Sequence, residues 1–388
     1  MSGLAGSRSL GADGAAQPRI GFVGLWHGRD SVAWSGVPTR IMDGLEELDL
    51  FGGYYDVTPS PRLLQVLRST TAGKDRGMWI FDWAPRTLLA VTNSYRRVSL
   101  SGRCDAWVVP AMGYGRPVRG RVASLCEITP AQLAETDLEV VRTMWPRITD
   151  QQLRAFGRQQ LRLHRAATTC CVASTWAADS LIADHAIEAS KVKVVGYGAN
   201  LEVEPPTDRS WETPRFLFVG NGWSRKNGDR VVRAFARIHT AVPAATLDVV
   251  GDHPRLDVPG VTGHGRRMIH DPAGRELLTK VYRSSTCFVL PSRLESFGLV
   301  YVEAARAGLP AIGTTRGGTR TSIGEGGLLV DPLDEEAIYR AMRRLCNPAE
   351  AQRLGAAARS RSRHFTWRRV TERIAEALSL RNGDGGSL

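Results

Sequence analysis

The segment RIGFVG at Arg19–Gly24 returns almost unaltered as RFLFVG at Arg215–Gly220, and each copy runs into a glycine-containing loop and then an amphipathic stretch. Short apolar runs alternating with longer amphipathic segments are the pattern of a parallel sheet covered by helices, because strands buried on both faces read as continuous apolar runs. A chain that opens twice on the same strand is expected to build two such sheets in series. Its 388 residues give each sheet room for its own core.

In the first half, WSGVP leads into a helix at TRIMDGLEEL, with Pro38 near its first turn, and CDAWVVP and TCCVAS are further strands. The stretch from Lys191 to Arg215 breaks this pattern with glycines and a Pro-Pro pair, as a linker does. The expected division is a disordered tail over 1–17, a Rossmann-like domain over 18–196, a linker over 197–214 and a second Rossmann-like domain over 215–363. An amphipathic helix over 364–382 and a disordered end over 383–388 follow. Ligands of doubly wound sheets bind outside the carboxyl ends of the strands, so function is expected in the strand-to-helix loops of both halves.

Lys and Arg number 51 and Asp and Glu 39, a net charge of +12. The excess suits phosphorylated small molecules or peripheral contact with an anionic membrane. It is spread along helices such as RQQLRLHR rather than gathered with aromatics, so no specific nucleic-acid partner is expected. No apolar run approaches the ~18 residues of a membrane helix. The first residues lack a secretory core, and the six cysteines show no C-x-x-C pairing. A cytoplasmic protein with reduced thiols, associated with a membrane at most peripherally, is the expectation, with the oligomeric state open.

Two loops carry chemistry. GNGWSRKNG, after the strand RFLFV, holds Gly220, Asn221 and Gly222 followed by the cations Arg225 and Lys226. Glycines let backbone N–H groups approach phosphate oxygens, and the two cations neutralise a diphosphate. A plain left-handed turn with solvated cations has the same composition. The G-x-G lacks the third glycine of a dinucleotide fingerprint, and no P-loop spacing occurs.

In LPSRLESFGLVYVEAARAGLP, Glu295 precedes a helix and Glu303 lies about two turns inside it. A carboxylate accepts hydrogen bonds in pairs, as vicinal sugar hydroxyls require, while Ser296, Phe297, Gly298 and Leu299 offer N–H groups to a phosphate. Two solvated glutamates on a surface helix are the ordinary explanation of such a pair. Glu303, however, sits in an apolar run where an unpaired carboxylate is costly.

These pieces resemble the retaining glycosyltransferases of the GT-B fold, glycosyltransferase family 4. The resemblance rests on E-x7-E at Glu295 and Glu303, the Arg-Lys loop VGNGWSRKNG, GTTRGG at Gly313–Gly318, GGLLVDP, and WSGVPTR as a first glycine loop. It implies two Rossmann-like domains facing each other across a cleft, a nucleotide-sugar donor in the second and a small-molecule, saccharide or lipid-linked acceptor in the first. The terminal helix would cross back to the first domain; an ordinary terminal helix on the second is equally compatible with the sequence.

By that resemblance Arg225 and Lys226 clamp the diphosphate, Glu303 holds the ribose and Glu295 the donor sugar. Backbone near Arg267 and Met268 meets the base, and Ser35 and Gly36 face the phosphates from the acceptor side. UDP is favoured over GDP. No D-x-D pair occurs, so neither metal nor cofactor is expected, and the departing phosphate rather than a protein base assists the acceptor. The chain departs from the family pattern in having Asn221 where an arginine is common and Thr321 where a glutamate is common. It also lacks a histidine in VVPAMGYGRPVRG, leaving His27 as the nearest candidate. An NAD(P)-dependent oxidoreductase and a non-catalytic sugar-nucleotide binder are the rival readings.

Overall fold

The computed structural model describes residues 18–25, 33–58, 62, 85–99, 103–111, 115–144 and 149–380. The expected tails over 1–17 and 383–388, and His27, lie outside the described residues.

The first half runs β1 (Ile20–Gly24), α1 (Val37–Glu47), β2 (Phe51–Asp56), α2 (Pro85–Ser99), β3 (Ala106–Pro110) and β4 (Arg121–Cys126). After these come α3 (Pro130–Glu135), α4 (Leu138–Met144), α5 (Asp150–Ala166), β5 (Thr169–Val172), α6 (Thr175–Ala183) and β6 (Val192–Val194). The strands pair in parallel in the order β2-β1-β3-β4-β5-β6. Thr129 and Thr149 close α3 and α5 with capping boxes, each hydroxyl accepting from the N3 amide while Gln132 or Gln152 reaches back.

The second half runs β7 (Arg215–Val219), α7 (Trp223–Lys226), α8 (Gly228–Ala241), β8 (Thr246–Val250), β9 (Val261–Gly263), α9 (Pro272–Ser284) and β10 (Cys287–Val289). It continues through α10 (Leu299–Arg306), β11 (Ala311–Thr314), α11 (Thr319–Ile323), β12 (Gly327–Val330), α12 (Glu335–Arg344), α13 (Pro348–Ser362) and α14 (Trp367–Ala377). Its sheet, also parallel, has the order β12-β11-β10-β7-β8-β9.

In both sheets the opening strand lies inside the sheet and the strand order reverses beside it. Crevices at the carboxyl ends of β1 and β7 are therefore the natural ligand positions. RIGFVG and RFLFVG become those two strands, their buried residues facing helices on both sides of each sheet.

The terminal helix α14 packs on the first domain. Val370, Ile374 and Leu378 are fully buried together with Ile41 and Leu45 of α1. Trp367 Nε1 donates to the Ala199 carbonyl at 2.9 Å, and Arg373 to that of Val195 at 3.0 Å. Fully burying such aliphatic side chains contributes about 1.5–3 kcal/mol each, so the helix is bound tightly to a domain it does not follow in sequence. No helix among the described residues is long and apolar enough to cross a membrane.

Candidate functional site

The loop after β7 is shaped by left-handed residues at both ends of α7. Gly222 has φ 80° and Asn227 φ 66°, and the Asn227 amide is locked by bonds to the carbonyls of Pro291 at 3.1 Å and Pro332 at 2.6 Å. A non-glycine residue holds the left-handed region only where its surroundings over-determine it, and those two carbonyls do so here. The turn aims Arg225 and Lys226 at the loop after β10. Arg225 donates to the Leu294 carbonyl at 3.2 Å, and Lys226 bonds Glu295 Oε2 directly.

Glu295 is 9% exposed and Lys226 8%. Glu295 Oε2 also accepts from Ser292 Oγ at 3.2 Å and lies 3.9 Å from Arg225. Burial alone would raise the Glu295 carboxyl, but Lys226 and Arg225 outweigh it and hold the group below the ordinary carboxylate range. Burial brings Lys226 down to about 8, with Glu295 opposing that shift, so both groups are charged at neutral pH. The Glu295 backbone is bridged to Gly317, which has φ +115°. A Cβ at Gly317 would stand 2.0 Å from the Glu295 carbonyl oxygen, so only glycine permits this approach.

Gly298, at φ 80°, turns the chain into α10 and leaves the first amides of that helix at the cleft. Little more than one turn on, Glu303 is 7% exposed. It accepts from Tyr282 Oη at 3.2 Å, and burial pushes its carboxyl up to about 7, opposed by Tyr282 and by the nearby backbone of Asn200 and Leu201. Phe297 has a second role. Its ring is buried against Tyr197 at 5.4 Å and Phe365 at 5.7 Å, anchoring the second domain on the linker and on the segment before α14.

From the first domain, Trp34, Ser35 and Gly36 enter α1 in three successive left-handed conformations, with φ 54°, 54° and 78°. The Ser35 carbonyl accepts from Asn200 Nδ2 at 2.7 Å. Glu127 directly follows β4, and Ser296 Oγ approaches its Oε2 to 3.5 Å from the opposite domain. Burial pushes Glu127 up to about 7, Glu295 adding to the rise while the neighbouring Trp34, Tyr197 and Ser296 side chains oppose it.

One cavity of about 380 Å3 joins these groups. From the second domain Gly220, Asn221, Arg225, Lys226, Arg267, Glu295, Ser296, Phe297, Gly298, Leu299 and Glu303 line it; from the first, Trp34, Ser35, Glu127 and Met144 do, with Tyr197 and Asn200 of the linker. Gly222 and Gly36 shape helix starts beside this lining without belonging to it. Met268 is also outside it, its carbonyl accepting the Asp271 N–H at 3.1 Å ahead of α9. Glu127, Tyr197 and Asn200 were not singled out in the sequence as contacts of this cleft. A larger groove of about 1060 Å3 along α9, lined by Arg209, Arg275, Lys280 and Arg283 among others, is away from these loops.

Residues 213–348 match the family described as glycosyl transferases group 1. This part of the chain is a group 1 glycosyl transferase domain. The group 1 domain contains the diphosphate loop, both glutamates and α10. The chain is 33% identical over 235 residues to a D-inositol 3-phosphate glycosyltransferase of Nocardioides sp., covering 49% of this chain and 51% of that protein. A relative of the same description from Rhodococcus opacus is 28% identical over 298 residues. The matched region spans 51% to 63% of the length of the first such relatives. Among solved structures, sucrose-phosphate synthase from Thermosynechococcus elongatus superposes with TM-score 0.68 at 18% identity, over 93% of this chain and 98% of that one. The fold around the group 1 domain is thus GT-B, two parallel six-stranded sheets flanked by helices.

Proposed function

We propose that the protein is a glycosyltransferase moving a sugar from a nucleotide-diphosphate sugar to a hydroxyl of a small-molecule, saccharide or lipid-linked acceptor, with retention of configuration and without a metal ion. One observation carries this reading. The crevices beside β1 and β7 open into a single cavity, where Arg225, Lys226 and the first amides of α10 converge with Glu303, about one turn inside the helix.

The two cations and the helix amides would meet charge developing on the departing diphosphate, a fixed electrostatic arrangement that needs no reorganisation during reaction. Glu303 would take the ribose hydroxyls and Glu295 those of the donor sugar, with Lys226 shared between Glu295 and the diphosphate. Ser35 would face the phosphates from the first domain and Arg267 the base. UDP is favoured over GDP, and the relatives named for D-inositol 3-phosphate make a phosphorylated polyol the first acceptor to assay.

Thermal unfolding with UDP, GDP, ADP and NAD at matched concentrations tests the class. A ligand at 100 times its Kd stabilises by about 2.7 kcal/mol. Stabilisation by UDP or GDP is the expected result. Stabilisation by NAD alone would overturn the reading in favour of an oxidoreductase.

A further inference from the structure

Glu127 directly follows β4 and lines the first-domain wall of the cavity, a wall it shares with Trp34 and Met144, and all three side chains are half-buried. Its one hydrogen-bond partner among the described residues is Ser296 Oγ at 3.5 Å, and no described Lys or Arg forms an ion pair with it. A carboxylate has about four acceptor positions. Ser296 therefore leaves most of them open to a ligand.

Other carboxylates where the domains meet have cations. Arg293 reaches Asp137 and Glu139 at 3.0 and 3.1 Å, and Lys226 and Arg225 attend Glu295. Glu303 has none, but it accepts from Tyr282 Oη and belongs to the donor wall. On the acceptor wall Glu127 faces a second carboxylate, Glu295, which adds to the effect of burial in pushing its carboxyl up to about 7. A neutral hydroxyl bound there leaves the repulsion between the two acids in place, whereas an ammonium relieves it. Trp34 supplies the kind of aromatic surface on which an organic cation packs.

We propose that Glu127 selects acceptors that carry an ammonium group, as amino sugars and aminocyclitols do, and holds that group by an ion pair beside Trp34. The inference rests on the glycosyltransferase reading and names the acceptor class within it. Glu127 then orients the acceptor without exchanging a proton with its attacking hydroxyl. The ammonium is the group held by this wall; the rest of the acceptor extends from it into the cavity.

The test uses the full chain with UDP bound and measures, by calorimetry near neutral pH, the binding of D-glucosamine, D-glucose and N-acetyl-D-glucosamine. The three share one ring and differ in carrying an ammonium, a hydroxyl or an acetamide at one carbon. Wild type is expected to bind glucosamine about 10-fold or more tighter than either of the others, the scale of a hydrogen bond to a charged group. Glu127→Gln removes the charge but keeps an acceptor, and should bring glucosamine and glucose within about twofold of each other. Titration with UDP shows whether the cleft of the variant is intact. If it is not, Glu127→Asp, which keeps the charge on a shorter arm, must show a reduced preference for glucosamine. Equal binding of the three sugars by wild type, no detectable binding of glucosamine, or a full preference that survives in the variants overturns the assignment while UDP binding leaves the glycosyltransferase reading intact. A wild type that binds neither UDP nor GDP overturns both.

Discussion

Replacing Lys226 by Met tests the electrostatics of the cleft without any ligand. The side chain is nine-tenths buried and its ammonium bonds Glu295, itself 9% exposed. Removing one partner of a buried ion pair costs about 3–5 kcal/mol, most of it the penalty on the charge left behind. Here Glu295 would keep Ser292 Oγ at 3.2 Å and Arg225 at 3.9 Å, which places the cost near the lower end, about 3 kcal/mol. That corresponds to a fall in Tm of roughly 6–12 °C for a domain of this size. Lys226→Met combined with Glu295→Gln removes both charges and should lie within about 1 kcal/mol of wild type, giving a coupling energy on the order of 2 kcal/mol or more. Urea unfolding followed by tryptophan fluorescence measures all four proteins. A double variant as unstable as the sum of the singles would refute the pairing and, with it, the account of why Glu295 stays ionised in a buried place.

Glu303→Gln keeps the shape of the side chain but replaces one acceptor oxygen by an NH2 donor, so a ribose hydroxyl bound there loses its acceptor and UDP affinity should fall by about 0.5–1.5 kcal/mol, roughly 2- to 13-fold, measured by titration calorimetry. Ile374→Ala on α14 removes a fully buried side chain and should cost about 2–5 kcal/mol, with the first domain losing stability although the substitution lies at the far end of the sequence. His164 is buried with Nδ1 against Ser124 Oγ at 2.8 Å, and burial brings its pKa from 6.5 to about 3. The fold thus favours the neutral ring, so this contribution to stability is present above 6.5 and is lost as pH falls toward 3. Between pH 7 and 5 wild type should lose roughly 2 kcal/mol relative to His164→Gln. The comparison must be a difference between the two proteins, because Glu127 and Glu303 act in the opposite sense over the same window.

The fold was legible because its strands are short apolar runs whose carboxyl ends fall at loops, and because RIGFVG and RFLFVG announce two sheets. The second-domain half of the cleft was legible for the same reason: Gly220, Arg225, Glu295 and Glu303 all follow strands closely in sequence. Glu127 was not, since in SLCEITP it reads as a lone acid ending a strand. Its place in the cleft depends on the register of β4 against β3, pairing Val108 with Ala123 and Pro110 with Leu125, and on the docking of two sheets. Phe297 was read for its backbone, while its ring packs on Tyr197 and Phe365, residues that no local pattern links to it. Met268 was placed near a base-binding backbone by the family resemblance, and the turn before α9 leaves it outside the lining.

The charges in the cavity are balanced so that a diphosphate should draw protons into it. Glu127 and Glu303, both pushed up to about 7, are part-protonated at neutral pH, and Lys226, down to about 8, is part-deprotonated just above it. An anion placed among them disfavours carboxylate and favours ammonium, raising all three values. The bound state then holds more protons than the free one, so nucleotide affinity should weaken as pH rises through 7 to 8. Calorimetry of UDP binding in buffers of different ionisation enthalpy reads the proton count directly. Net uptake at pH 7.5, reduced in Glu303→Gln, is the expected result; net release would mean that the diphosphate does not sit among these groups.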